Sequence, residues 1–195
     1  MSAPLLVYLH GFNSSSGSAK GQMIARAAAA LPNPPEVYLP DLHHQPRSAM
    51  RGVCDFIDAS LRDRALALIG SSLGGYYATA LAEKYGARAI LINPAIRPYD
   101  DLRGFVGRQR NLHTGEEYDI TEAHFAELAE LAVERITRPD RYFLLVRTGD
   151  EILDWREAVA FYAGACQYVA GGGDHGWVDF EGETASVLRF AGCQV

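Results

Sequence analysis

The chain contains no apolar run long enough to cross a bilayer, so a transmembrane protein is not expected. No basic n-region with a long apolar stretch precedes Pro4–His10 (PLLVYLH), so a secretory leader is not expected either. Cysteine is scarce: Cys54, Cys166 and Cys193 are scattered and odd in number. That argues against a disulfide framework or a zinc site and fits thiols in a reducing cytoplasm. Cys54 and Cys166 lie in apolar-rich stretches and are expected in the core. A basic excess is also missing, with 18 Lys and Arg against 24 Asp and Glu, a net charge of −6. No positive stripe is available for nucleic acid. Arginine greatly outnumbers lysine, which by itself carries no functional meaning. Repeats and low-complexity tracts are absent too.

What is present is ordinary for a globular protein: 48% hydrophobic and 22% charged residues over 195 positions. One domain, 1–195, is expected, large enough to bury a core. Apolar runs of strand length recur at Leu5–Leu9, Val37–Leu39, Ala65–Gly70, Ala89–Asn93, Tyr142–Arg147 and Gln167–Val169. Their continuous hydrophobicity is that of strands covered on both faces, as in a parallel sheet. Helical patterns alternate with them at Ala19–Leu31, Ala49–Arg62, Gly75–Tyr85, Trp155–Ala163 and Val178–Phe190. Val53, Ile57 and Leu61, spaced by four, mark one buried helical face. The alternation predicts an α/β fold, a mainly parallel six-stranded sheet with helices on both faces in three layers.

One connection, 94–140, is too long for a simple crossover. Its first half is polar, rich in glycine and arginine, and reads as irregular loop. Its second half, TEAHFAELAELAVERI, spaces Phe125, Leu128, Leu131, Ala132 and Ile136 at helical intervals, with Asp119 or Thr121 as cap. A long insertion between sheet strands is often functional, and this one is expected to cover the site.

Chemistry concentrates in Ala65–Gly75, ALALIGSSLGG, where an apolar run breaks into G-x-S-x-G and leads into a helix. Such a turn strains its central serine, Ser72, and projects Oγ above the end of a sheet. Gly70 and Gly74 flank it because side chains there would collide across the bend. A serine hydroxyl needs a base within reach. Of the six histidines, His175 lies in a glycine-rich loop after the last apolar run (AGGGDHGW) and can reach across the sheet edge. The carboxylate that orients it is expected at Asp150, directly after the YFLLVRTG strand, in the chain order serine, acid, histidine. Glu151 and Asp154 are nearby rivals, and Asp174 adjoins the histidine.

A tetrahedral intermediate also needs preorganised donors. The Leu73 amide stands at a helix head and the Phe12 amide in the loop after the first strand, where Gly11 permits close approach. His10 is read as packed under the turn, or alternatively as a second imidazole. Asn13–Lys20 (NSSSGSAK) is a polar loop able to bind an anion, but without the G-K-[ST] ending of a P-loop. Asp41, His43 and His44 have some metal-ligand flavour, without a further His or Cys pair at ligand spacing. They are read as a pocket wall or solvated loop. Arg97, Arg103, Arg108 and Arg110 are read as solvated or ion-paired, rather than as an attractor for an anionic acyl carrier.

Five blocks carry a resemblance: YLHGFNSSSGSAKG, IGSSLGGYYATALAEKYG, INPAIRPYDDL, TGDEILDWREAVAFYAG and GGGDHGWVDFE. In this order they resemble the α/β-hydrolase superfamily, and more narrowly the small bacterial YqiA-like esterases, over nearly the whole chain. The resemblance implies the α/β-hydrolase fold and a cytoplasmic serine esterase with Ser72, Asp150 and His175 as nucleophile, acid and base. The function expected is hydrolysis of short-chain carboxylic esters through an acyl-serine, with no cofactor and no metal. A thioesterase using the same triad, or a non-catalytic binding protein on the same scaffold, is the alternative. The expected partner is a small-molecule ester or thioester, with no nucleic acid and no membrane; oligomeric state is not legible.

Overall fold

Along each apolar run successive side chains point to opposite faces, and both faces need cover. The computed structural model, which describes residues 3–111 and 113–195, resolves this need with a six-stranded parallel sheet. Its strands are β1 (Leu5–Leu9), β2 (Glu36–Tyr38), β3 (Leu66–Ser71), β4 (Arg88–Ile92), β7 (Tyr142–Arg147) and β8 (Cys166–Ala170), in the order β2-β1-β3-β4-β7-β8. Leu5, Val7, Leu9, Leu68 and Leu91 face one layer, with α2 (Pro46–Ser60), α3 (Leu73–Tyr85) and α6 (Trp155–Phe161) packed on them. Leu6, Tyr8, Ile69, Ile90 and Leu145 face the other, under α1 (Ala19–Ala29) and α7 (Thr184–Ala191).

The helix ends follow local chemistry. Pro46 opens α2 at a position where its missing N–H costs nothing, and Gly86 ends α3 in the left-handed conformation. The last helical pattern begins later than read: one tight 3₁₀ turn at Phe180–Glu183 precedes α7.

The strand order reverses between β1 and β3, because β2 pairs on the far side of β1. At such a reversal the loops leaving the carboxyl ends diverge and open a crevice. The loop carrying His10–Phe12 and the turn carrying Ser72 leave from these two strands. Asp150 and His175 leave from β7 and β8, which pair side by side.

Three further readings need correction. The polar half of the long connection is not irregular: it contains α4 (Pro98–Asp101) and an antiparallel hairpin, β5 (Gly107–Arg110) with β6 (Glu117–Ile120). Its hydrophobicity alternates too weakly to signal strands, since most of the hairpin is exposed. The following helix, α5 (Glu122–Glu130), stops before Ile136. Beyond it the chain is anchored at Thr137, whose N and Oγ1 donate to Glu83, and Pro139 follows. Finally, β8 is an edge strand, so Cys166, Tyr168 and Val169 are exposed, while Cys54 is half-buried and Cys193 buried. No helix among the described residues is long and apolar enough to cross a membrane.

Candidate active site

The turn between β3 and α3 is set by contacts that leave no room for a side chain. A Cβ on Gly70 would stand 2.1 Å from Gly74 O, and one on Gly74 would stand 2.0 Å from Leu9 O. Between them Ser72 sits at φ 56°, a strained backbone for a non-glycine residue. The strain is held by Ser72 N donating to Ile92 O at 3.1 Å and by Ser72 O accepting from Gly75 and Ala95 N. Ser72 remains partly exposed and lines a cavity with His175, Gly11 and Phe12. A Cβ on Gly11 would stand 3.1 Å from Ser72 Cβ and 3.6 Å from its Oγ, so glycine there keeps the hydroxyl accessible.

His175 Nδ1 donates to Asp150 Oδ2 at 2.8 Å. The other carboxylate oxygen accepts from Ile152 N and Leu153 N, both at 2.9 Å, so both oxygens are engaged although the side chain is 2% exposed. Burial pushes the Asp150 carboxyl up. The hydrogen bonds from His175 and the two amides outweigh it and hold the group below the ordinary carboxylate range. With Nδ1 bound to the acid, Nε2 is the nitrogen left for chemistry. No hydrogen bond joins His175 to Ser72 Oγ among the described residues, although both groups face one cavity.

The rival carboxylates are each occupied elsewhere. Glu151 accepts from His175 N at 3.0 Å, Asp154 caps α6 through Arg156 N, and Asp174 accepts from Trp177 N at 2.6 Å. The loop is also pinned downstream, because Trp177 is 2% exposed beneath the Arg147 guanidinium. Removing a buried indole of this kind costs about 3–5 kcal/mol.

Neither the Phe12 nor the Leu73 amide finds an acceptor among the described residues. Leu73 N opens α3, where unpaired N–H groups and the helix dipole favour negative charge. Next to them lies a small pocket of about 40 Å³, walled by Leu73, Tyr77, His43, His44 and Tyr118. The long connection reaches this region from above. Asn111 Nδ2 donates to Ser14 O at 2.8 Å, Tyr118 OH donates to Asn13 Oδ1, and the Phe105 ring meets Phe12 edge-on at 5.2 Å.

The remaining candidates do other work. His10 is 5% exposed; its Nε2 accepts from Leu42 N at 3.0 Å, so Nδ1 carries the proton shared with Gly11 O. Burial lowers its pKa, as expected of a neutral packed imidazole. Asp41 accepts from Ser16 N, chiefly for which its pKa is lowered, and His43 Nδ1 accepts from Gln45 N. Among the described residues no group of three His, Cys, Asp or Glu is arranged around a metal position. His44 instead stacks on Tyr118 and lies 3.2 Å from His124 Nε2. Arg97, Arg103 and Arg108 pair with Glu157, Glu122 and Glu117.

Sequence reasoning overlooked Asn93. This buried residue ends β4 at φ 42°, accepts from Arg147 N at 2.9 Å, and donates through Nδ2 to His175 O at 3.1 Å. A polar residue closing an apolar strand, in ILINPA, was the available signal.

Residues 5–192 match the model of a family described as Uncharacterised protein family (UPF0227). The chain belongs to the UPF0227 family. A UPF0227 protein of Yersinia enterocolitica is 27% identical over 154 residues, which span 77% of each chain. Among solved structures, a putative hydrolase from Agrobacterium vitis superposes with a TM-score of 0.76 at 17% identity, covering 96% of this chain and 87% of that one. Est1E from Butyrivibrio proteoclasticus gives 0.70 at 16% identity, covering 97% and 87%. At these identities the likeness shows the fold, and this UPF0227 chain has the α/β-hydrolase fold.

Proposed function

We propose that the protein is a serine esterase that hydrolyses short-chain carboxylic esters through an acyl-serine intermediate. The observation that carries this reading is the 2.8 Å bond from His175 to a buried, fully engaged Asp150, on a loop facing the strained Ser72 across one cavity. In the Michaelis complex His175 Nε2 closes on Ser72 Oγ, a contact that commonly tightens only when substrate is bound. Ser72 attacks the ester carbonyl and Nε2 takes its proton. Asp150 holds the imidazole's tautomer and stabilises the imidazolium. The Phe12 and Leu73 amides receive the oxyanion. The imidazolium then protonates the leaving oxygen, and water activated by the same nitrogen releases the acid.

The acyl group lies in the small pocket beside Leu73. A space of about 40 Å³ accommodates roughly three water-sized probes, enough for a short chain and not for a fatty acyl tail. The substrate is therefore a small-molecule ester or thioester, and no residue in the sequence requires a cofactor. A fluorophosphonate probe should label Ser72, and Ser72→Ala should lower turnover of p-nitrophenyl acetate by roughly 10⁴ or more. Undiminished activity in purified Ser72→Ala protein removes the mechanism. Faster hydrolysis of the palmitate than of the acetate removes the short-chain assignment. Parallel acyl-CoA assays separate ester from thioester preference.

A further inference from the structure

The polar segment Asn13–Lys20 has no part in the mechanism above, yet Ser14, Ser18 and Lys20 line the cavity that holds Ser72 and His175. This cavity is open and larger than the acyl pocket, about 250 Å³, and its lining contains no Asp or Glu. Lys20, one of only two lysines in the chain, is half-buried in the first turn of α1. Its Nζ donates to Gly176 O at 2.6 Å, its one hydrogen bond among the described residues, and no carboxylate there lies within ion-pair distance of it. An ammonium has three donors, so two are unspent. Ser18 caps α1 without a capping bond from its side chain, and its Oγ is buried with no partner among the described residues. A half-buried cation and a buried hydroxyl short of acceptors form a site that an anion would complete.

The position of this site relative to the imidazole fixes which half of the substrate it meets. The group that deprotonates Ser72 must hand the proton to the leaving oxygen, so the leaving group lies on the His175 side. Lys20 is bound to Gly176, the next residue. The acyl half is directed the other way, past Phe12 and Leu73.

We infer that Lys20 and Ser18 form a subsite for an anionic substituent on the leaving group. The preferred substrates are then esters or thioesters of an alcohol or thiol that carries a carboxylate or phosphate. This rests on the esterase reading. Water adds across the acyl–oxygen or acyl–sulfur bond, and the anionic alcohol or thiol departs with the proton from His175.

The test compares kcat/KM for 3-acetoxypropanoate and 3-acetoxypropyl phosphate with that for neutral propyl acetate. Monoethyl succinate serves as the control that carries its charge on the acyl half. One or both of the first two should exceed propyl acetate by about tenfold or more, an advantage that shrinks as salt is added. The faster of the two identifies carboxylate or phosphate as the recognised group. In Lys20→Met the anionic and neutral esters should become equal, whatever the lost Gly176 bond does to absolute rates. Lys20→Arg should restore part of the difference. Equal rates in the unmodified protein, with p-nitrophenyl acetate still hydrolysed, overturn the subsite and leave the esterase reading intact. An advantage confined to monoethyl succinate overturns it as well. If no ester is hydrolysed, the esterase reading falls and binding decides the anion site. Binding of 3-hydroxypropanoate or inorganic phosphate to Ser72→Ala protein, weakened about tenfold by added Lys20→Met, upholds it. Equal binding, or none, overturns it.

Discussion

The turn at Gly70–Gly75 and the hairpin of β5 and β6 face each other across the site, and they are held by opposite means. The turn is fixed by backbone against backbone, with glycines whose missing side chains would overlap neighbouring carbonyls. The hairpin and the turn leading into it are fixed to the site by side chains: Asn111 on Ser14, Tyr118 on Asn13, and, just before the hairpin, Phe105 on Phe12. Close-packed backbone has one solution and tolerates no increment of volume. Side-chain tethers can be removed one at a time, each for a modest cost. The strained Ser72 position therefore belongs to the sheet, whereas the pocket wall opposite it is the adjustable part.

Substituting the turn should give the largest effect. Gly74→Ala places a methyl 2.0 Å from Leu9 O, so β1 and α3 must separate. A loss above about 4 kcal/mol is expected, read as failure to fold or a collapsed urea midpoint. A stable Gly74→Ala protein would mean that the turn is not the rigid partner in the comparison.

Asp150→Asn comes next, with kcat falling about 10³–10⁴-fold as the imidazole loses its tautomer partner while the cavity persists. The same variant has a pH signature. Because the folded state holds the Asp150 pKa below its unfolded value, its ionisation contributes stability that is fully present above the ordinary carboxylate range. That contribution is lost as pH falls through the lowered value. The stability gap between the natural protein and Asp150→Asn should thus be constant near neutrality and narrow in acid, below about pH 4. A gap that widens on acidification contradicts the assigned direction.

These differences in construction also explain what was legible in the sequence. Leu5–Leu9 and Tyr142–Arg147 read as buried strands because they are apolar on both faces and flanked by turn chemistry. The Ser72 turn read clearly because steric exclusion writes itself as glycine at fixed spacing. Asp150 and His175 were legible through chain order, each on the loop after a recognisable strand. Gln109 and Tyr118 did not read as strand, because the inner face of the hairpin is Gly107, Gln109, Tyr118 and Ile120, of which only Ile120 is both aliphatic and buried, too little to write an apolar alternation. Nor did the helix stop after Glu130 read clearly, since Leu131, Ala132 and Ile136 continue the helical spacing in sequence. Asn93 escaped because its partner, His175 O, is distant in sequence and is a backbone atom, which leaves no trace in residue type; for the same reason the anion-binding character of Asn13–Lys20 was legible but the bond from Lys20 to Gly176 O was not.

Asn93 sharpens the comparison on the rigid side. Asn93→Asp keeps a residue tolerant of positive φ and the acceptor for Arg147 N, but removes the donor to His175 O. With His175 as the proposed base, misplacing its loop is worth about 10²-fold at most here, so kcat should fall roughly 10- to 100-fold with KM little changed. A rise in KM alone would assign Asn93 to substrate binding instead.

On the adjustable side the effect should be smallest and should concern selectivity rather than rate. Tyr118 walls the pocket proposed for the acyl group, stacks on His44 with ring centroids 4.5 Å apart, and ties the hairpin to Asn13. Tyr118→Ala removes the ring and the tether together, so the pocket lengthens toward solvent while the Ser72 turn stays as it is. Each additional methylene then gains apolar contact that the natural pocket denies, worth about 1 kcal/mol or somewhat more. Hydrolysis of p-nitrophenyl hexanoate should rise a few-fold relative to the acetate, with acetate turnover changed little. If acetate and hexanoate instead fall together by orders of magnitude, the hairpin is as integral to the geometry at Ser72 as the turn, and the contrast between the two regions fails.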